Sequence, residues 1–328
     1  MYLGVDGGGT KTAFILVDSA GNIRALHQES GSYHLEIGIT GVADILAKGT
    51  AEALTKAGAT SAEIKYAFFG MPAYGEDSLL QKKLDPLPHT FLANNNYQCG
   101  NDMICSWAGS LACSDGISVI AGTGSIAYGE YNGKNARAGG WGELFSDEGS
   151  AHWIAREGLN LFSKMSDGRT IRGALHKIIR QHFSLDSDLD LCSAIYGNTT
   201  SARSCVAQLA KLVWNAAVAG DEQAHAIFIS AARELTEIVN AVRSTLQVPA
   251  NVLFPVSYSG GVFDSNIVVL DCFRKLLEEN SAYKYSLTPP LYSPVIGAAL
   301  YAAKNHGSPL QKSALENLTK QAELISKL

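Results

Sequence analysis

No Cys-X-X-Cys pair occurs among the six cysteines (Cys99, Cys105, Cys113, Cys192, Cys205 and Cys272), which are scattered and lie mostly in apolar, helix-like surroundings. That spacing argues against a zinc ribbon or a redox motif and predicts a reduced, cytoplasmic protein with buried thiols. No apolar run approaches the roughly 18 residues that a membrane-crossing helix needs. The chain goes straight into a strand, with no charged n-region and apolar h-region, so no signal peptide is expected. Positive charge is in deficit, with a formal net charge of −5. This argues against non-specific nucleic-acid binding and a basic membrane patch, so neither nucleic acid nor a membrane is expected as a partner. Heptads, low-complexity tracts and basic-aromatic interleaving are absent as well. His176, His182 and His225 stand alone, without paired metal-ligand spacing. What remains is a chain of 328 residues, 46% hydrophobic, long enough to bury a large core and to form two domains.

The richest stretch is the first one, Tyr2-Leu3-Gly4-Val5-Asp6-Gly7-Gly8-Gly9-Thr10-Lys11-Thr12. An apolar run ends in an acid, three glycines follow, and two hydroxyl side chains flank a lysine. The pattern predicts a strand, a tight turn with exposed backbone N–H groups, and a second strand from Ala13. Glycine tolerates positive φ and lets a phosphate approach the backbone, and successive N–H groups in such a turn form an anion site. Asp6 could hold Mg²⁺ through water beside the phosphates. The plain alternative is a hairpin whose glycines serve only the turn.

Downstream, strands are expected at 23–28, 66–71 and 90–93, and helices at 37–57 and 104–112. Asp102 precedes the second of these helices, where an acid can be an N-cap, a chemical group, or both, since a helix N-terminus favours an ionised carboxylate. A strand at 117–121 then runs into Gly122-Thr123-Gly124-Ser125 and another strand. This echoes the opening and suggests two related halves whose glycine turns could hold a polyphosphate from both sides. Gly139-Gly140-Trp141-Gly142 combines a flat aromatic with free backbone groups, which suits a sugar ring. Asp147, Glu148 and Ser150 are candidate caps for a helix at 151–162. Residues 171–246 read as helical, with a core stripe at Ile227, Ala231, Leu235, Ile238, Val242 and Leu246. Ser259-Gly260-Gly261 is a third glycine turn, between a strand at 252–256 and a helix at 267–277, where adenine or ribose could lie on bare backbone. A strand at 283–287 and helices at 294–303 and 310–328 complete the chain.

Taken in order, the Asp-Gly-Gly-Gly-Thr turn, Asp102, Gly122–Ser125, the Gly-Gly-Trp-Gly loop, Asp147-Glu148-Gly149-Ser150 and Ser259-Gly260-Gly261 resemble one family. It is the N-acetylglucosamine kinase branch of the BadF/BadG/BcrA/BcrD ATPase-like family, within the superfamily of actin, hexokinase and the heat-shock ATPases. The resemblance covers nearly the whole chain, and its most specific part is the Gly-Gly-Trp-Gly loop with Asp-Glu-Gly-Ser. It implies an α/β fold of two ribonuclease-H-like domains with mixed central sheets, facing each other across a nucleotide and sugar cleft. Residues 1–116 with the terminal helix 306–328 would form one domain and residues 117–305 the other.

By resemblance, Asp102 matches the catalytic base. Gly8, Gly9, Thr10, Lys11, Thr12, Thr123 and Gly124 fall at nucleotide-phosphate positions, Gly260 and Gly261 at the adenosine turn, and Ala207 near the nucleotide. Ser125, Gly140, Trp141, Gly142 and Asp147 match sugar contacts. Where the family often carries Asn ahead of a His, this chain has Tyr33 ahead of His34, which bears on the amino-group side of the sugar pocket. The implied reaction is phosphoryl transfer from ATP, with Mg²⁺ at Asp6, to the 6-hydroxyl of N-acetyl-D-glucosamine, by a homodimer. The alternatives are a glucosamine kinase and, from another class, an ATPase activator carrying an iron–sulfur cluster.

Overall fold

The computed structural model describes residues 1–197 and 203–325. In chain order the elements begin β1 (Tyr2–Gly7), β2 (Lys11–Val17), β3 (Ile23–Ser30), α1 (His34–Ala57), β4 (Tyr66–Met71), α2 (Ser78–Leu84), β5 (Tyr97–Asn101) and α3 (Asp102–Leu111). Next come β6 (Gly116–Ala121), β7 (Ser125–Tyr131), β8 (Lys134–Gly139), α4 (Ala151–Ser166), α5 (Ala174–Phe183), α6 (Asp190–Tyr196), α7 (Arg203–Gln208), α8 (Ala210–Val218) and α9 (Glu222–Leu246). The last are β9 (Leu253–Ser259), α10 (Gly261–Ser265), α11 (Ile267–Glu278), β10 (Lys284–Thr288), α12 (Pro294–Asn305) and α13 (Lys312–Ile325). The chain divides into two units, Met1–Asp115 with Pro289–Leu328, and Gly116–Thr288. Residues 326–328 of the expected terminal helix lie outside the described residues.

The first unit is built on a five-stranded mixed sheet in the order β3-β2-β1-β4-β5. Alternation along β1 and β2 decides what lies on each face. Leu3, Val5, Phe14 and Leu16 pack with Val42, Leu46 and Ala53 of α1. Tyr2 and Phe68 face the other way, towards Cys105 of α3 and Ala298, Ala302 and Ala303 of α12. Each such Val, Leu or Phe contributes about 1.5–3 kcal/mol on burial. Small residues bring α12 close: a Cβ on Gly4 would lie 2.3 Å from the Ala299 nitrogen, and one on Gly297 2.2 Å from the Gly109 nitrogen of α3. Helix α12 therefore belongs to the first unit, not to the second as expected from the sequence, because its alanine and glycine face is shaped for β1 and α3.

The second unit repeats the plan with the order β10-β9-β6-β7-β8. In each unit the first strand pairs antiparallel with the second and parallel with the fourth. The echo read in the glycine turns is thus an echo of topology. The sheet's core side carries Ile117, Val119, Val256 and Phe254 against α9 and α11, through Leu235, Val239, Val242, Val269 and Phe273.

Three local expectations are corrected. The strand expected at 90–93 is absent; Leu87–Thr90 forms a 3₁₀ turn after Pro86 and Pro88, and the strand is β5. Helix α2 and strand β8 were not anticipated. The stretch 171–246 is broken into several helices, with Ser184 in the left-handed region ending α5.

Candidate functional site

Register brings the first unit's chemistry together. Parallel pairing sets Asp6 of β1 beside Gly70 of β4, and Gly70 beside Gly100 of β5, so these strands end in line. In open α/β sheets the carboxyl ends of parallel strands are where ligands bind. Asn101 ends β5 and caps α3: its side chain accepts from the Met103 N–H at 3.0 Å and donates to the Tyr74 carbonyl at 3.1 Å. The cap is therefore Asn101, and Asp102, the first residue of the helix, is left without that role. Replacing Asn101 with Ala removes both bonds and is expected to cost about 1–2 kcal/mol, measurable as a lower melting temperature. Because the cap also sets the orientation of Asp102, catalytic turnover should fall with it.

Burial pushes the Asp102 carboxyl up to about 6, against the pull of the N–H groups of Asp102 and Met103 at the helix start. Asp6 is pushed up to about 7, first by burial and then by the charge of Asp102, with the Cys105 thiol and Lys11 opposing. Cys105 is fully buried and its thiol donates to the Val5 carbonyl at 3.6 Å. It fits because Gly70 has no side chain; a Cβ there would lie 2.2 Å from the sulfur. Two neighbouring carboxylates, both resisting ionisation, form a site that gains from an added cation.

The opening turn works differently from expectation. None of Gly7, Gly8 and Gly9 has positive φ. Gly7 is needed for close packing, since a Cβ would lie 2.6 Å from Ser32 Oγ and 2.8 Å from the Gly70 carbonyl. The Gly8 N–H is taken by the Lys11 carbonyl at 2.9 Å. Gly9, Thr10 and Lys11 are exposed, whereas Thr12 is fully buried. Tyr33 caps α1 by position but makes no side-chain cap bond, and its ring meets the buried His34 ring edge-on at 5.7 Å.

In the second unit the Gly122–Ser125 turn is tied to the start of α4. The Ala151 N–H donates to the Gly122 carbonyl at 2.9 Å, and Ser125 Oγ donates to the Glu148 carbonyl at 2.6 Å. Ser150 is the cap of α4, accepting from the Trp153 N–H. Asp147 is not a cap. It is buried at φ 63, and its carboxylate receives the Arg203 guanidinium, which also pairs with Glu143 at 3.4 Å. Burial raises the Asp147 carboxyl while Arg203 opposes the shift. Arg203 went unnoticed in the sequence because it is 56 residues from its partner and in no motif. His152 also joins this cluster: burial lowers its imidazole, Glu143 raises it and Arg203 lowers it.

Gly140 and Gly142 both have positive φ, and Trp141 between them is 69% exposed. Gly260, at φ 101, packs its Cα face on the Ala121 backbone, where a Cβ would come within 2.5 Å of the carbonyl oxygen. Gly261 is exposed and opens α10, and Thr123 is exposed in its turn. Ala207 is buried in α7.

A family model described as the BadF/BadG/BcrA/BcrD ATPase family matches residues 3–302. The chain belongs to that family. An N-acetyl-D-glucosamine kinase from Dictyostelium discoideum is 29% identical over 311 residues, covering 92% of this chain and 97% of that one. A Clostridium acetobutylicum protein described as N-acetylmuramic acid/N-acetylglucosamine kinase is 35% identical over 181 residues, 55% of this chain and 58% of the other. Among solved structures, a Chromobacterium violaceum protein provisionally assigned as an N-acetylglucosamine kinase superposes with a TM-score of 0.70 at 24% identity, covering 91% of this chain and 97% of that one. A like-named Porphyromonas gingivalis structure gives 0.65 at 19% identity, covering 93% of this chain and 100% of the other. These structural likenesses support the two-unit α/β fold.

Proposed function

We propose that this member of the family is an ATP-dependent sugar kinase that phosphorylates N-acetyl-D-glucosamine at its 6-hydroxyl, giving N-acetylglucosamine 6-phosphate and ADP. The observation that carries the reading is Asp102: a carboxylate freed from capping, set in the first turn of α3 at the strand ends and held near 6. A base near the operating pH is suited to accept a hydroxyl proton. The full-length similarity to a named N-acetyl-D-glucosamine kinase supports the substrate class.

In this reaction the γ-phosphoryl group passes from ATP to the sugar oxygen, ADP leaves, and the hydroxyl proton goes to Asp102. The turn around Gly8, Gly9, Thr10 and Lys11 and the turn at Thr123 and Gly124 are assigned to the phosphates, and Gly260 and Gly261 to the adenosine. The buried Thr12 would support its turn from beneath. His34, Tyr33, Ser125, Gly140, Trp141, Gly142 and Asp147 are assigned to the sugar. Positioning and electrostatics supply most of the catalysis in phosphoryl transfer.

No group of three or more His, Cys, Asp or Glu suited to a metal occurs among the described residues. Asp6, with Asp102 beside it, fits Mg²⁺ of the kind held by one or two carboxylates plus substrate phosphates. When bound, Mg²⁺ supplies positive charge that offsets the charge of the transferring group. The free thiols of buried Cys99 and Cys105 support a reducing, cytoplasmic setting.

The test is ADP release with ATP and Mg²⁺ against N-acetylglucosamine, glucosamine, glucose and no sugar. N-acetylglucosamine should give the highest kcat/KM. A higher value for glucosamine would move the assignment to the free amino sugar, and ADP release indifferent to every sugar would overturn it.

A further inference from the structure

Arg137, on β8 just before the Gly-Gly-Trp-Gly loop, is not explained by transfer to a neutral sugar. Its guanidinium donates to the Gly140 carbonyl at 3.0 Å and lies over the Trp141 ring at 5.7 Å from the centroid. It meets no carboxylate among the described residues, although the protein is acidic overall. The other arginine near this loop, Arg203, is committed to Asp147 and Glu143. A half-buried arginine held by one carbonyl and one indole keeps N–H donors in hand, and its planar fork matches a carboxylate bidentately. Trp141, 69% exposed, remains a platform on which a pyranose can lie.

We infer that Arg137 is a specificity-determining residue that receives the carboxylate of an acidic amino sugar, so that a hexosamine bearing a carboxyalkyl ether, such as N-acetylmuramic acid, is a second substrate. The inference rests on the assignment of this loop to the sugar. It agrees with the description of the Clostridium relative as acting on both sugars.

The test compares kcat/KM for N-acetylmuramic acid and N-acetylglucosamine in the wild type, Arg137→Gln and Arg137→Lys, with calorimetric titration of each sugar. The wild type should turn over both. In Arg137→Gln the ratio of acidic to neutral kcat/KM should fall at least about tenfold, the weight of one charge-assisted hydrogen bond, and Arg137→Lys should recover part of it. Raising salt should weaken binding of the acidic sugar more than of the neutral one. A wild type that phosphorylates N-acetylglucosamine but not N-acetylmuramic acid overturns the inference. So does an Arg137→Gln variant that loses both sugars equally, which would make Arg137 a brace for Gly140. A wild type inactive on both sugars defeats the kinase reading itself, a different result from either.

Discussion

Asp102→Asn should lower kcat by about 10²–10⁴-fold, the usual worth of a general base, while the Kd for N-acetylglucosamine changes by less than about threefold. The amide keeps the size and the hydrogen-bonding reach of the carboxylate but cannot take the proton. Asn101 continues to cap α3, so the helix start should keep its geometry. Single-turnover kinetics with saturating ATP, beside a direct sugar titration, separate the two quantities. Turnover within tenfold of wild type would remove Asp102 from the role of base.

The same carboxylate sets a pH dependence whose sign is fixed. As a base it must be ionised, so kcat/KM should rise with pH through about 6 and level off above it. The effect on stability runs the other way. Folding lifts this acid from its ordinary value of 3.8 to about 6, so the native state holds the proton more tightly than the unfolded chain. Its contribution to stability is present at low pH and is lost as pH rises from about 4 through 6. Asp102→Asn should therefore melt higher than wild type at pH 8 and show no such advantage at pH 4. A variant that is both less active and less stable at pH 8 would mean that the carboxylate is structural.

The parts of this picture that depend on local pattern were legible in the sequence; those that depend on distant partners were not. Strands β1 and β6 end in glycine-rich turns, and these showed that one plan is used twice. Strand β5 was hidden because Tyr-Gln-Cys-Gly-Asn has no run of β-branched residues, and its edge position leaves one side unpaired. Thr90 to Ala93 looked like a strand by composition, but Pro86 and Pro88 fix φ just upstream and drive a turn. Capping was read one residue late, on Asp102, because Asn and Asp are nearly equivalent as caps and only geometry tells them apart. The triglycine was rightly singled out, but its glycines serve close packing, with the left-handed backbone found at Gly140, Gly142 and Gly260. Arg137 lies next to the sugar loop in sequence, yet only the fold shows that it stacks on Trp141 and lacks a carboxylate.

Arg243 is the sharpest case of a residue that periodicity could not reveal, and replacing it should cost the second unit more than any other single side chain considered above. It lies in the last turn of α9, next to Val242 on the core stripe, and is fully buried. No carboxylate meets it. Its guanidinium instead donates to three carbonyls, those of Lys284 at 2.6 Å, Val252 at 2.7 Å and Pro249 at 2.8 Å. The rings of Tyr283 and Tyr285, each 4.9 Å away, and of Phe254, 5.5 Å away, supply the negative faces that tolerate a buried cation. One side chain thus pins the end of α9 to the approach to β9 and to the start of β10. Arg243→Met keeps the length and apolar stem but strands three acceptors, each worth about 1–3 kcal/mol when buried and unpaired. After relaxation a net loss of about 3–5 kcal/mol is expected, as for other broken buried charge sites. In a unit of this size that is a fall of about 6–15 °C in melting temperature. Arg243→Lys, which keeps the charge but not the fork, should fall between the two. If Arg243→Met melts within about 2 °C of wild type, the three carbonyls do not depend on the guanidinium, and the joint between α9 and the sheet must be held by its apolar contacts alone.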